Sequence, residues 1–198
     1  MGKPAATDRP SLRSLSHSFT LDFIVGFQHK DDAEQFVSDL RERFHGFHLE
    51  LHPDKTRVTR LTDGFDFLGF TFVKRQSPRS GKQAIYIFPA KSAQQKIRNR
   101  LKYVTSRRAP ISPQEFVDMV NPMVMGWVNY FRHTNASQAF RGLQRFVNIR
   151  FRRYLTQRSK GRGFGWKRFP NSKLYAMGLA YIGSGMLTYR AKPAHGVR

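Results

Sequence analysis

The chain has 198 residues, carries 35 Lys+Arg against 13 Asp+Glu for a formal net charge of +22, and contains no cysteine. That length suits one domain or two small ones and is enough to bury a sizeable core. So basic a balance is too large for a generic soluble enzyme and points to a polyanionic partner, whether RNA, DNA or an anionic membrane. The missing cysteines exclude disulfides, thiolate zinc sites, iron–sulfur clusters and a cysteine nucleophile, and they fit a cytoplasmic location.

The acids are not spread evenly. Residues 1–66 hold 11 Asp+Glu and 9 Lys+Arg, whereas residues 67–198 hold 26 Lys+Arg against Glu115 and Asp118 alone, net +24. A solvated basic face is ordinarily balanced by acids; here nothing balances it, and the charge reads as a nucleic-acid surface. A membrane is not expected. Residues 1–18 lack the apolar segment of a signal peptide. The longest uncharged C-terminal run, 174–189, contains glycines and falls short of the ~20 apolar residues a spanning helix needs.

In chain order, residues 1–18 show Pro, Ser and no periodicity, and read as a disordered leader. FTLDFIVGF (19–27) is short and apolar, as a buried strand or strand pair would be. Asp31 with Glu34 has the capping-box pattern, followed by Ala33, Phe36, Val37, Leu40 and Phe44 at helical spacing and a stop at Gly46. Residues 48–51 alternate as a short strand. The aromatic run 65–72 reads as one strand and 85–88 as a second, joined through the Pro- and Gly-containing loop 76–82 as a hairpin. Everything after Pro89 reads as helix. Ser92 with Gln95 predicts a cap, with Ile97, Leu101 and Val104 inward and Lys96, Arg98, Arg100 and Lys102 outward. Arg107 and Arg108 continue the basic run. Ser112, Pro113 and Glu115 are a stronger start signal, for a helix running toward Phe131 that Pro122 should kink or restart, with Asn121 as a new cap.

Asn135 with Gln138 predicts the next helix start. Its stripe Phe140, Leu143, Val147, Phe151 and Tyr154 should pack, while Arg141, Arg145, Asn148 and Arg152 should face outward, beside Arg153. RSKGRGFGWKRFP (158–170) then interleaves Arg158, Lys160, Arg162, Lys167 and Arg168 with Phe164, Trp166 and Phe169. Such a segment suits unpaired RNA, whose bases stack on rings. It also suits a charged loop whose aromatics anchor it to the core.

Several motifs in order carry a resemblance. Residues 19–58, followed by FDFLGFTF, resemble the late palm of group II intron reverse transcriptases. The points of similarity are His52, Pro53, Asp54, Lys55 and Thr56, then the primer-grip-like Phe67, Leu68, Gly69 and Phe70. Residues 92–169 resemble that family's thumb and maturase-specific domain, through Asn121, Pro122, Gly126, Trp127, Asn129, Tyr130 and Phe131, with Ser137 and Phe140 after them. The resemblance covers about residues 19–170, and it is the combination that is specific.

The resemblance implies a strand pair bearing two metal-ligand acids at Phe19, Thr20, Leu21 and Asp22. Asp22 remains, but Leu21 replaces a metal ligand. The fingers and early palm that supply a further Asp lie upstream in the family. Two-metal phosphoryl transfer needs several carboxylates about two cations, so the expectation is an N-terminally truncated chain with no intact catalytic site, where intact members use Mg²⁺. No cofactor is expected. His45, His48 and His52 straddle a helix end and a strand, which disfavours a metal site. Trp127, Tyr130 and Phe131 sit at core spacing, although RNA contact is the competing role.

The fold expected is α+β, a small antiparallel palm remnant followed by an all-α thumb and maturase helical domain. Its parts are a leader (1–18), the palm remnant (19–90), the thumb and maturase-specific domain (91–170) and a C-terminal extension (171–198). The function expected is binding of group II intron RNA to assist splicing, with DNA a weaker candidate partner. The alternatives are a non-functional remnant of a reverse-transcriptase gene, or a subunit that completes an RNA-directed DNA polymerase with a separate upstream fragment.

Overall fold

The computed structural model describes residues 22–78, 80–106, 111–159 and 163–183, and the backbone of 187–188. Two compact units divide between Val58 and Thr59, so residue 90, the sequence-based boundary, falls inside the second unit.

In the first unit, α1 spans Lys30–His45. It begins one residue before Asp31, at His29, whose side chain makes no capping bond. Asp31 and Asp32 instead lie in the first turn, where carboxylates face the positive end of the helix. Glu34 pairs with Lys30 at 2.9 Å and closes no capping box. Gly46 ends the helix as expected, but with φ −62°; the left-handed residue is His48, φ 56°. Residues 48–51 are therefore a turn and an irregular stretch, not a strand. Residues 22–27 form no strand either, and Phe23, Ile24 and Val25 are each 46% exposed. A strand needs a ladder partner, and among the described residues none pairs with this segment. The rest of that expected strand, including Leu21, and the leader lie outside the described residues.

The second unit opens with a three-stranded antiparallel sheet: β1 (Phe65–Phe67), β2 (Phe70–Gln76) and β3 (Gln83–Pro89). The run 65–72 is thus two strands. Leu68 and Gly69 both adopt positive φ, 47° and 84°, and make a two-residue turn that pairs Phe67 with Phe70. Such primed turns match the twist of the flanking strands, and glycine adopts the second position without strain. The β2–β3 hairpin is as read from sequence, in register from Phe70↔Pro89 to Gln76↔Gln83.

Three helices follow: α2 (Lys91–Val104), α3 (Pro113–Phe131) and α4 (Ser137–Arg158). Ala90, not Ser92, is the N-cap of α2, and Gln94 Nε2 donates to the Pro89 carbonyl at 2.9 Å. The α3 start is as expected. Glu115 N donates to Ser112 Oγ at 3.1 Å, and Ser112 N to Glu115 Oε2 at 2.5 Å. Pro122 does not restart α3, which continues through it. An interior proline costs roughly 3 kcal/mol; burial of Phe116, Val117, Val120, Val124, Val128 and Phe131 along the same helix offsets it.

Asn135 does not cap α4 either; Ala136 stands there. Asn135 Oδ1 accepts from Ile87 N at 3.0 Å and its own N–H donates to Ile87 O at 2.8 Å. It thereby occupies the free edge of β3 as a partner strand would.

The chain after Pro89 is not all helix. A short α5 (Asn171–Ala176) ends before Gly178, φ 96°, and is followed by β4 (Tyr181–Ile182) and β5 (Leu187–Thr188), paired antiparallel. The described part of the C-terminal extension is structural: Leu174, Leu179 and Ile182 belong to the same core as Leu101, Val120 and Phe151.

Candidate nucleic-acid interface

The packed face of α4 is as read from sequence. Phe140, Leu143, Val147 and Phe151 are at most 3% exposed, and Tyr154 packs beside them. The other face divides. Arg141 and Arg145 are exposed, but Asn148 and Arg152 are buried. Arg152 is 1% exposed. Its Nε donates to the Phe169 carbonyl at 2.8 Å and its Nη2 to Asn171 Oδ1 at 2.5 Å. The Trp166 ring centroid lies 3.9 Å from the guanidinium carbon, and Nη1 has no hydrogen-bond partner. Burial pulls the pKa of Arg152 down from its ordinary value, yet a guanidinium stays charged in proteins. The outward guanidinium read from helical spacing is thus a buried cation. Helical periodicity does not register a segment that packs over the second face of a helix.

The loop after α4 divides its aromatics between core and surface. Phe169 is buried as an anchor, while Phe164 and Trp166 remain 47% and 53% exposed, each beneath an arginine of α4. Gly165, φ 68°, sits so close to α4 that a Cβ there would collide with the Thr156 hydroxyl. Lys167 and Arg168 are exposed. Lys160 and Arg162, like Arg107 and Arg108, lie outside the described residues.

On α2, Lys96, Arg100 and Lys102 are exposed and Arg98 is half-buried. Arg153 is exposed over Phe164. Arg158 is exposed but occupied: its Nη1 donates to the Ile111 carbonyl at 2.6 Å. Among the described residues, none of Lys96, Arg100, Lys102, Arg141, Arg145, Lys167 and Arg168 forms an ion pair. The reason is compositional, since this unit has few acids to pair with. Arg150, not singled out from sequence, is structural. Its Nε and Nη2 donate to Thr105 Oγ1 and O, both at 2.7 Å, closing the C-terminal end of α2.

The motif residues on α3 split by role. Asn121 is 5% exposed and bridges to the C-terminal segment: Nδ2 donates to Gly178 O and Oδ1 accepts from Ala180 N, both at 2.9 Å. Trp127 packs against Phe131 and Phe140, with its Nε1 buried and unpartnered, and Phe131 is core. Tyr130 stacks on Phe70 at 5.0 Å and donates its hydroxyl to Leu68 O at 3.0 Å. It clips the Phe67, Leu68, Gly69, Phe70 hairpin onto α3, so two motifs far apart in sequence form one joint. Pro122, Gly126 and Asn129 are exposed.

Asp22 stands exposed in an irregular segment. No three His, Asp or Glu side chains gather as a metal site among the described residues, and Phe19, Thr20 and Leu21 lie outside them. No helix among them is long and apolar enough to cross a membrane.

Residues 94–172 match the family model described as group II intron, maturase-specific domain. No curated protein sequence matches the chain. The matched stretch runs from within α2 into α5 and overlaps the residues 92–169 whose motifs resemble that domain, which supports a maturase-like C-terminal part.

Proposed function

We propose that the second unit binds group II intron RNA across its unpaired basic surface and helps the intron fold for splicing. One observation carries this reading: the match to the maturase-specific domain, 94–172, lies within a stretch, 67–198, where 26 Lys+Arg meet two acids. Cations exposed on α2, α4 and the 163–169 loop supply phosphate contacts, which give affinity. RNA shape and unpaired bases supply selectivity.

The test is binding of intron RNA and of an unrelated structured RNA across a salt series. With roughly 6–10 phosphates neutralised, log K against log salt should slope at about −4 to −9. Lys96→Gln, Arg100→Gln and Lys102→Gln together should flatten it by up to about three. A slope near zero overturns the electrostatic surface, and equal affinity for the two RNAs overturns the intron as its target.

A further inference from the structure

We propose that the cleft between α4 and the C-terminal segment is a pocket for one unstacked nucleotide of a bound RNA. Its phosphate lies on Arg141 and Arg145, and its base lies against Trp166 or Tyr181. The proposal rests on the RNA-binding reading and names the part of the RNA that the surface selects.

The cleft has a volume of about 410 Å³, inside the range of roughly 300–1,000 Å³ typical of small-ligand sites. Three arginines line it, Arg141, Arg145 and Arg152, and no acid does. Arg141 and Arg145 are one helical turn apart on the same face of α4, so both guanidiniums reach one anion. Arg152 lies behind the cleft as a cation 1% exposed, with no ion pair among the described residues and Nη1 without a partner. Buried charges are ordinarily paired. The charge of Arg152 adds to the positive potential that Arg141 and Arg145 set up in the cleft, and the low dielectric around it lengthens its reach.

The rings turn an anion site into a nucleotide site. Trp166 is 53% exposed although one of its faces lies on the Arg152 guanidinium, and Tyr181, also lining the cleft, is 45% exposed. A ring backed by a cation and open on its other side is a stacking platform. Bases inside a duplex are already stacked and paired, so only a bulged, looped or terminal nucleotide can enter.

The experiment uses the full chain and four probes: a blunt RNA duplex, the same duplex with one bulged nucleotide, a short single-stranded RNA, and AMP. The bulged duplex should bind more tightly than the blunt one. Tyr181→Ala and Trp166→Ala should each weaken the bulged and single-stranded RNAs about tenfold, the usual scale for losing a base–aromatic stack, and leave the blunt duplex unchanged. Trp166→Phe should restore most of the loss. Thermal melting accompanies Trp166→Ala, since that ring also covers Arg152; the Tyr181 variant carries the test if the former unfolds. Salt-sensitive binding of both duplexes with no bulge preference, or variants that affect both equally, overturns the pocket and leaves the RNA reading standing. Loss of binding to every RNA overturns both. Tight binding of AMP with no bulge preference assigns the pocket to a free nucleotide and overturns RNA as its source.

Discussion

Asn121→Ala should cost more than any surface change on α3, and the structure gives its size. Asn121 makes two hydrogen bonds, to Gly178 O and from Ala180 N, each at 2.9 Å. Asn121 is 5% exposed and Ala180 3%, so water does not readily replace the lost amide. Each backbone group stripped of its partner costs about 1–3 kcal/mol, so the variant should lose about 2–6 kcal/mol of unfolding free energy. A second tether holds the same segment. Gln144 Nε2 donates to Ala180 O at 3.3 Å, and Gln144 Oε1 accepts from Ile182 N at 2.5 Å. Asn121 and Gln144 hold the same segment from two helices. Once one is gone the segment loosens and the other has less to hold. Their effects should therefore fall short of additive, by about 0.5–3 kcal/mol in a double-mutant cycle. Urea unfolding measures the four species of the cycle, and trypsin cleavage at Lys173 should quicken in each variant. An Asn121→Ala protein within about 0.5 kcal/mol of the parent, with full additivity to Gln144→Ala, would refute the assignment of Asn121 as the tether.

Other outcomes follow from the same geometry. Arg152→Gln should lower unfolding stability by about 1.5–3 kcal/mol, because it removes charge-assisted bonds to Phe169 and Asn171, whereas Arg141→Gln and Arg145→Gln should stay within about 0.5 kcal/mol; urea denaturation separates them, and equal effects would place Arg152 at the surface. The Ser112 backbone N–H, then its hydroxyl, hold the Glu115 carboxyl below its ordinary 4.5. A depressed folded-state pKa stabilises the fold above the unfolded value and loses that contribution as pH falls through the folded one, so the capping box should weaken below pH 4.5. Carboxyl NMR titration should show a low Glu115 midpoint that Ser112→Ala, which removes the hydroxyl and keeps the backbone N–H, moves up only in part; a midpoint in the parent at or above 4.5 would remove the Ser112 bonds as the cause. Primer extension with Mg²⁺ or Mn²⁺ should yield no product above buffer. Template-dependent extension that survives Asp22→Asn would sink the reading that Leu21 breaks the metal site.

What the sequence alone determined is local. The capping box at Ser112, the apolar stripe Phe140, Leu143, Val147 and Phe151, and the β2–β3 hairpin are legible because backbone geometry places residues a few positions apart side by side, whatever the rest of the chain does. The excess of cations over acids is legible too, since no fold changes that count. The tertiary structure decided the fate of polar side chains and unpaired edges. Asn121 and Asn135 both carry the local look of helix caps. Each instead meets backbone far away, Asn121 at Gly178 and Ala180 and Asn135 at Ile87. Arg152 occupies the polar side of its helix by spacing, and only the arrival of Trp166, Phe169 and Asn171 turns that side into interior. The apolar run at 22–27 fails as a strand for the converse reason, that no partner pairs with it among the described residues. A hydrogen-bonding group takes whichever partner leaves least of it unsatisfied after burial, and which partners are within reach is a property of how distant segments pack, not of the residues beside it in the chain.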